Sequence, residues 1–113
     1  MPYFSIETNQ RINDGKAFTD SATSFIAGLL NKPEKFIMVS LKGKNEMRFA
    51  GTTDLTAFIQ LKSIGLPDDK DGLIESVFEF AEKALNTPKN RIYLELTDIK
   101  RELFAYNGKS FKR

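Results

Sequence analysis

An internal repeat constrains the fold of this chain more than any other feature of its sequence. The stretch LNKPEKFIMVSL at residues 30–41 matches LNTPKNRIYLEL at residues 85–96, at an offset of 55 residues. Each begins Leu-Asn-x-Pro, and three residues later each continues with Ile and an apolar residue at every second position. The same offset aligns PYFSIET, from residue 2, with AFIQLKS, from residue 57. The two halves, residues 2–41 and 57–96, are therefore expected to fold alike.

The segments inside each half have the apolar spacing of amphipathic helices. Asp14 and either Asp68 or Asp69 are predicted N-caps, because a short acidic side chain accepts hydrogen bonds from the free N–H groups of a first helical turn. The helices are predicted to end at residues 31–33 and 86–88, since proline disfavours helical geometry in the residue before it. The apolar helix positions are Phe18, Ala22, Phe25, Ile26, Leu29 and Leu30, and then Leu73, Ile74, Val77, Phe78, Ala81, Ala84 and Leu85.

Each half thus reads strand, helix, strand, and the predicted fold class is α+β, a two-layer tandem βαβ repeat. Right-handed crossovers place both helices on one face of a four-stranded mixed sheet. A chain of 113 residues is long enough to bury its own core, so one domain over residues 1–113 is expected.

Successive side chains of a strand point to opposite faces of the sheet. The residues of the four strands therefore predict one wholly apolar sheet face and one face of polar and aromatic residues, the mixed face. The mixed face is too polar for a second core layer and too aromatic for plain exposure, which predicts contact with another subunit. The segments EMRFAG, within residues 42–54, and ELFAYNGKSF, near the C-terminus, are predicted to be extra short strands that can extend a neighbour's sheet. The apolar face carries Phe4, Ile6, Ile37, Val39, Leu41, Ile59, Leu61, Ile92, Leu94 and Leu96, and the mixed face carries Tyr3, Ser5, Glu7, Met38, Ser40, Phe58, Gln60, Tyr93, Glu95 and Thr97.

The chain contains no cysteine and no histidine. This composition excludes disulfides, thiol nucleophiles, zinc sites built from those residues, and imidazole bases. Proton transfer near neutral pH is left to a carboxyl group, a tyrosine, a lysine or the N-terminal amine, and only the amine has an ordinary pKa close to neutrality. A net charge of +2 does not predict a nucleic-acid partner. Because no apolar run reaches membrane-spanning length and no signal peptide is recognised, a cytoplasmic protein without membrane contact is expected.

The chain opens with MPYFSI, in which a proline directly follows the initiator methionine. One interpretation is structural, because a strand tolerates proline as its first residue. The other interpretation is catalytic. Initiator methionine is usually removed when a small residue follows, and Pro2 would then carry a free secondary amine able to act as a base.

These features together resemble the macrophage migration inhibitory factor family of the tautomerase superfamily. The resemblance rests on the N-terminal proline heading a βαβ repeat, on NKPEKFI, on SIG at residues 63–65, on RIYLEL and on the closing YNGKSF, and it covers essentially the whole chain. It implies a homotrimer whose sheets surround a central channel, with pockets at the subunit interfaces. It also implies keto–enol tautomerisation of phenylpyruvate-like aromatic 2-keto acids, with neither cofactor nor metal.

The resemblance further implies particular roles for residues of this chain. Pro2 is implied as the general base, and Tyr93, from a neighbouring subunit, as the group that polarises the substrate or acts as an acid. Lys32 is implied to receive the substrate carboxylate and to depress the pKa of the Pro2 amine. The backbone of Ile64 is implied to line the pocket. The remaining substrate-binding residues implied are Glu95 and an aromatic rim suited to a phenyl ring, formed by Phe36, Tyr106 and Phe111.

The same residues have ordinary structural interpretations, which stay open here. Lys32 is well placed as an exposed lysine at a helix C-terminus. Ile64 reads equally as a core residue beside a turn, and Tyr93 as a strand aromatic on a subunit interface. Aromatic residues near a chain end are more often packing anchors than ligand contacts, which applies to Tyr106 and Phe111.

Three positions depart from the family pattern. Glu95 stands where mammalian members carry asparagine, and a carboxylate there raises the pKa of a nearby amine and repels anionic substrates. Activity on dopachrome-like substrates is therefore not expected. The Cys-x-x-Cys of the vertebrate proteins falls on residues 56–59, which are Thr-Ala-Phe-Ile, so thiol–disulfide exchange is excluded. Tyr106 replaces a tryptophan and keeps an aromatic platform.

Two other functions are compatible with the resemblance. The first is a cytokine-like trimeric binding or signalling protein with a vestigial pocket, but the joint presence of Pro2, Lys32 and Tyr93 favours the enzyme. The second is hydration-linked dehalogenation or decarboxylation, which relies on additional arginines in the pocket. The spacing of the arginines in the sequence does not predict that any of these four lies beside Pro2: Arg11, Arg48, Arg91 and Arg101.

Overall fold

The computed structural model describes the whole chain, residues 1–113. It contains two α-helices, six β-strands and three short 3-10 turns. The strands are β1 (Tyr3–Thr8), β2 (Met38–Lys42), β3 (Ala57–Ser63), β4 (Ile92–Asp98), β5 (Ala105–Tyr106) and β6 (Lys109–Ser110), the helices are α1 (Gly15–Leu30) and α2 (Lys70–Leu85), and the 3-10 turns are Glu34–Phe36, Lys89–Arg91 and Arg101–Leu103.

Strands β1 to β4 form one sheet in the order β2-β1-β3-β4. The two central strands are antiparallel, and each outer strand is parallel to its inner neighbour. Two βαβ units therefore lie side by side and join through β1 and β3. The predicted four-stranded mixed sheet with two helices packed on one face is confirmed.

The two helices repeat each other closely. Each spans 16 residues, and they begin 55 residues apart, which is the offset of the sequence repeat. Asp14 caps α1 and Asp69, rather than Asp68, caps α2, each by accepting a hydrogen bond from an N–H group of the first turn, at 3.0 and 2.9 Å. Asn31 and Asn86 end the helices in the left-handed conformation, at φ 53° and 48°. The predicted helix starts and ends are confirmed.

The core lies between the helices and the apolar sheet face. Three aromatic rings pack together in it: partly buried Phe25 of α1 and Phe80 of α2 stack with their centroids 4.3 Å apart, and fully buried Phe4 of β1 packs against both. Residues of the two central strands on this face are buried, whereas most of those on the outer strands are only partly buried, because an outer strand has a neighbour on one side only. The opposite sheet face has no helix packed on it. No helix of the structure combines the length and the apolar character needed to cross a bilayer.

The strand predicted in EMRFAG is wrong. Phe49 and Thr52 form a single antiparallel bridge around a two-residue turn, in which Ala50 and Gly51 have positive φ values of 52° and 79°. Arg91 donates three hydrogen bonds of 3.0 Å to backbone carbonyls of the segment between β2 and β3, residues 43–56, which we call the insert. The side chain of Asn9 also donates to two carbonyls of the insert, so side-chain donors rather than a strand ladder hold it.

The strands predicted in ELFAYNGKSF are present, and they pair with each other. Strands β5 and β6 form a small hairpin around Asn107 and Gly108, both with positive φ, as two-residue Asn-Gly hairpin loops require. The N–H of Phe111 donates to the carbonyl of Phe104 at 2.9 Å and extends the pairing. Within one chain the hairpin therefore forms a separate two-stranded sheet.

Candidate active site

A cleft of about 550 Å³ lies at the end of the sheet where the chain begins. It is bounded by the start of β1, the residues that lead into β2 and the C-terminal hairpin. Most of its lining is apolar, which favours a ligand with an apolar or aromatic body. The lining residues are Met1, Pro2, Tyr3, Lys35, Phe36, Ile37, Met38, Phe104, Ala105, Tyr106 and Phe111.

Pro2 is fully buried and is one of the residues that line this cleft. Its carbonyl accepts a hydrogen bond of 3.0 Å from the N–H of Met38, so the parallel pairing of β1 with β2 fixes its position. Because Met1 precedes it, the nitrogen of Pro2 is an amide in this form of the chain. Both interpretations of Pro2 fit this location, since the residue leads into a strand and also lines a cleft.

Two cations act on the amine at the start of the chain. Partial burial, first, and then the charges of Lys32 and Arg101 lower the pKa of the Met1 amino group from its ordinary value of 8.0. Burial removes water that would solvate an ammonium ion, and nearby positive charges repel it. A third cation, Lys35, lines the cleft with its ammonium nitrogen 5.1 Å from the ring centroid of Phe36. This end of the cleft therefore favours a neutral amine and an anionic ligand.

Aromatic side chains form the outer wall of the cleft. Phe104 and Phe111 stack with centroids 5.9 Å apart, and the hairpin that joins them carries Tyr106. Tyr106 and Phe36 remain well exposed, at 69% and 41% of their surface. Exposed aromatic faces beside an apolar cleft are suited to packing against a planar ring.

Ile64 does not line the cleft. It lies directly after β3, half buried, in a turn fixed by a hydrogen bond of 3.0 Å from the N–H of Gly65 to the carboxylate of Asp98. Gly65 has a φ of 80°, which favours glycine at this position. Ile64 is thus at the same end of the sheet as Pro2 without facing the cleft.

Tyr93 and Glu95 lie on β4, at the edge of the sheet away from β2. Tyr93 pairs with Phe58, which in turn pairs with Glu7 at the far end of β1. Two strand spacings across and about five residues along separate Tyr93 from Pro2, a distance of about 19 Å. The side chain of Tyr93 is 63% exposed, and exposed Glu95 accepts a hydrogen bond of 3.3 Å from Gln60.

One chain therefore assembles part of the predicted site. It brings Pro2, Phe36, Tyr106 and Phe111 together around one cleft and holds Lys32 close enough for its charge to act on the amine at the chain start. It keeps Tyr93 and Glu95 distant, and neither Lys32 nor Ile64 is among the residues that line the cleft.

Two residues at this end of the sheet were not predicted from the sequence. Arg101 was not expected near Pro2, yet its charge reaches the amine at the chain start. The reason is topological, because β4 returns to the end of the sheet where β1 begins. Ser63 is fully buried, and its hydroxyl makes no hydrogen bond. The SIG motif that includes Ser63 was the only available signal for either residue.

The chain matches the family model described as macrophage migration inhibitory factor (MIF) over residues 1–112. It is 37% identical to a macrophage migration inhibitory factor homolog of Brugia malayi, over 98% of this chain and 99% of that protein. It is 28% identical to the macrophage migration inhibitory factor of Xenopus tropicalis, with the same coverage.

Solved structures agree with the sequence relatives. The crystal structure of the homologue from Prochlorococcus marinus superposes with a TM-score of 0.88 at 31% identity and covers 97% of this chain and 99% of that chain. The macrophage migration inhibitory factor of Trichinella spiralis superposes with a TM-score of 0.89 at 26% identity, covering 96% of this chain and 98% of that chain.

Proposed function

Because the chain belongs to the macrophage migration inhibitory factor family, we propose that it is a cofactor-independent keto–enol tautomerase. Its proposed substrates are aromatic 2-keto acids such as phenylpyruvate, and its proposed base is the secondary amine of Pro2 after removal of Met1. Membership of the family supports a tautomerase-type or cytokine-like function in general. The enzymatic alternative is favoured by one observation: a buried proline at the chain start lines an apolar cleft in which burial and then the nearby charges lower the pKa of the amine of Met1.

The pKa of the amine supports a role for Pro2 as base. A base must be unprotonated at working pH, and an amine with an ordinary pKa near 8 is largely protonated at neutrality. Burial and the charges of Lys32 and Arg101 lower the pKa of the Met1 amine. Pro2 is buried more deeply than Met1, so the same causes are expected to lower the pKa of a Pro2 amine.

The lining of the cleft supports the substrate class. A phenyl ring packs against Phe36, Tyr106 and Phe111, and the carboxylate lies toward Lys32. The methylene group between ring and ketone then faces Pro2. The amine takes one proton from this carbon, the electron pair moves through the new carbon–carbon double bond to the ketone oxygen, and a proton is delivered to that oxygen. No atom is gained or lost, and nothing is oxidised.

A second subunit supplies the remaining groups in this proposal. Homologues in the family are typically homotrimers, and the exposed Tyr93 and Glu95 lie on a sheet face that no helix of the chain covers. We place Tyr93 of a neighbouring subunit in the cleft, where its hydroxyl donates to the ketone oxygen. Glu95 lies on the same strand as Tyr93, so Glu95 of that subunit is placed near the same cleft.

The test compares wild type with Pro2→Ala, both with mass-verified removal of Met1, in the conversion of phenylpyruvate between its keto and enol forms. Pro2→Ala is expected to lower kcat by at least about a hundredfold, the usual contribution of a positioned base. The kcat/KM of the wild type is expected to rise with pH and to level off below pH 8, since the amine must be neutral. Equal, slow rates in both proteins reject the catalytic role and leave the cytokine-like binding protein as the function to pursue.

A further inference from the structure

We propose that Arg101 binds the substrate carboxylate together with Lys32, so that the acid-binding end of the cleft is a two-cation anchor. This inference deepens the proposed function and rests on it. It makes Arg101 a substrate-binding residue that selects aromatic carboxylic acids over their neutral analogues.

The topology of the sheet brings Arg101 to the chain start. Strand β4 ends level with the end of β3, since Asp98 pairs with Ser63, and the N–H of Ile99 donates to the carbonyl of Ser63 at 2.8 Å. On the other side of β3, Lys62 pairs with Tyr3, the first residue of β1. The 3-10 turn that Arg101 begins is therefore held at the end of the sheet that carries Pro2.

The same turn leads directly into the wall of the cleft. Phe104 follows the turn and lines the cleft, and its N–H donates to the carbonyl of Arg101 at 3.4 Å. Arg101 is half buried, and its charge acts on the Met1 amine, which also lines the cleft. The backbone that carries the guanidinium group of Arg101 thus continues directly into a segment that lines the cleft.

The guanidinium group of Arg101 has no partner within the chain. The one ion pair of the chain joins Lys16 to Asp20 on α1, and no hydrogen bond is made by the side chain of Arg101 or of Lys32. By contrast, Arg91 donates three hydrogen bonds to backbone carbonyls. Arg101 is a half-buried residue whose guanidinium donors are all free, and Lys32, also without a partner, acts on the same Met1 amine. Such donors are suited to an anionic ligand that supplies the missing acceptors.

The two cations are chemically complementary. Guanidinium presents a planar fork that binds both oxygens of one carboxylate, whereas the lysine ammonium acts as a point charge. Arg101 therefore fixes the orientation of the carboxylate, and Lys32 adds attraction. The additional charge also offsets the repulsion of an anionic substrate by Glu95 from a neighbouring subunit.

The test measures binding of phenylacetate, an unreactive aromatic acid, by calorimetry to the full chain with Met1 removed. Arg101→Ala is expected to weaken phenylacetate binding at least tenfold, because it removes a charge-assisted bidentate contact. Arg101→Lys keeps the charge without the fork and is expected to lie between wild type and Arg101→Ala. Phenylacetamide, which has the same ring and no charge, is expected to bind all three proteins equally. Lys100→Ala removes the same charge from the exposed neighbouring residue and is the matched control, with unchanged binding.

Kinetics and binding separate this inference from the proposed function. In an active enzyme, Arg101→Ala is expected to raise KM for phenylpyruvate more than it lowers kcat. If the wild type is inactive but Arg101 still governs phenylacetate binding, the anchor stands and the tautomerase proposal fails. If wild type does not bind phenylacetate, or if folded Arg101→Ala binds it as tightly as wild type, the anchor is rejected whatever the activity.

Discussion

At the scale of single residues, the hydroxyl of Ser63 departs most clearly from the rule that buried polar groups make hydrogen bonds. It is fully buried without a hydrogen bond, and an unsatisfied buried polar group costs about 1–3 kcal/mol. Lys62 pairs with Tyr3, so one further step of the antiparallel register places Ser63 opposite Pro2, with both side chains on the helix-covered face. The hydroxyl therefore lies next to the position where removal of Met1 creates an amine.

Ser63→Ala is expected to stabilise the protein that retains Met1 by about 1 kcal/mol, because it removes the unsatisfied hydroxyl without opening a large cavity. Urea unfolding measures the change. Ser40→Ala, on the uncovered sheet face, is the matched control and is expected to leave the free energy of unfolding within about 0.5 kcal/mol of wild type. A loss of stability in Ser63→Ala contradicts the prediction and indicates that the hydroxyl has a partner in solution.

Glu95 is expected to limit catalysis in the proposed site. Replacing it by asparagine removes a negative charge that repels an anionic substrate and favours a protonated amine. The predicted gain is about 1 kcal/mol of transition-state stabilisation, or about fivefold in kcat/KM for phenylpyruvate.

Glu7→Gln serves as the control for Glu95→Asn, because it removes a charge from the same sheet face on β1 and is expected to change kcat/KM little. Steady-state kinetics at fixed ionic strength makes the comparison. Unchanged or lower efficiency in Glu95→Asn runs against the proposed position of Glu95 in a neighbour's site.

At the scale of secondary-structure elements, both helices end in the same way. Asn31 and Asn86 adopt the left-handed conformation, which asparagine tolerates better than most residues. Each is followed within two residues by proline, and then by a 3-10 turn that leads into an outer strand. This shared ending directs the chain from each helix into β2 or β4.

Asn86→Ala is expected to lower the free energy of unfolding by about 1 kcal/mol, because alanine pays a steric penalty in the left-handed region. Asn86→Gly, which has no such penalty, is expected to match or exceed wild type. Thermal unfolding of the pair, monitored by circular dichroism, separates backbone strain from loss of the side chain. Equal destabilisation by both substitutions assigns the effect to the amide group of Asn86 instead.

The helices were predictable from sequence because their caps, apolar spacing and stop signals agree with one another. The insert was not, since its conformation depends on Arg91, which lies about 40 residues later in the chain and holds the insert through backbone carbonyls. The position of Arg101 was missed for a related reason. The spacing of residues along one strand does not show which residues the fold brings to the end of the sheet where β1 begins. Pro2 and the aromatic rim, by contrast, lie in recognisable local motifs.

At the scale of the whole molecule, one chain forms only part of the proposed site, and the remaining residues of the site lie on the uncovered sheet face. Met38 and Tyr93 lie on this face and are 66% and 63% exposed. They lie on the two outer strands, β2 and β4, and large apolar and aromatic side chains left exposed on an open sheet face are typical of an interface. In the trimer that we propose, each site combines Pro2 from one subunit with Tyr93 from the next, so every subunit contributes to two sites.

This arrangement predicts that two inactive variants restore activity when they are mixed. Pro2→Ala lacks the base and is expected to lose at least about a hundredfold in kcat, and Tyr93→Phe lacks the hydroxyl and is expected to lose at least about tenfold. Trimers are re-formed from an equal mixture of the two variants. Half of the sites then have Pro2, and in half of those the neighbouring chain supplies Tyr93. About a quarter of wild-type activity is therefore restored. Mass spectrometry verifies subunit exchange, and mixing Pro2→Ala with the Pro2→Ala, Tyr93→Phe double variant is the matched control. If each site lies within one chain, every site in the mixture carries a lesion, and activity stays at the level of the separate variants.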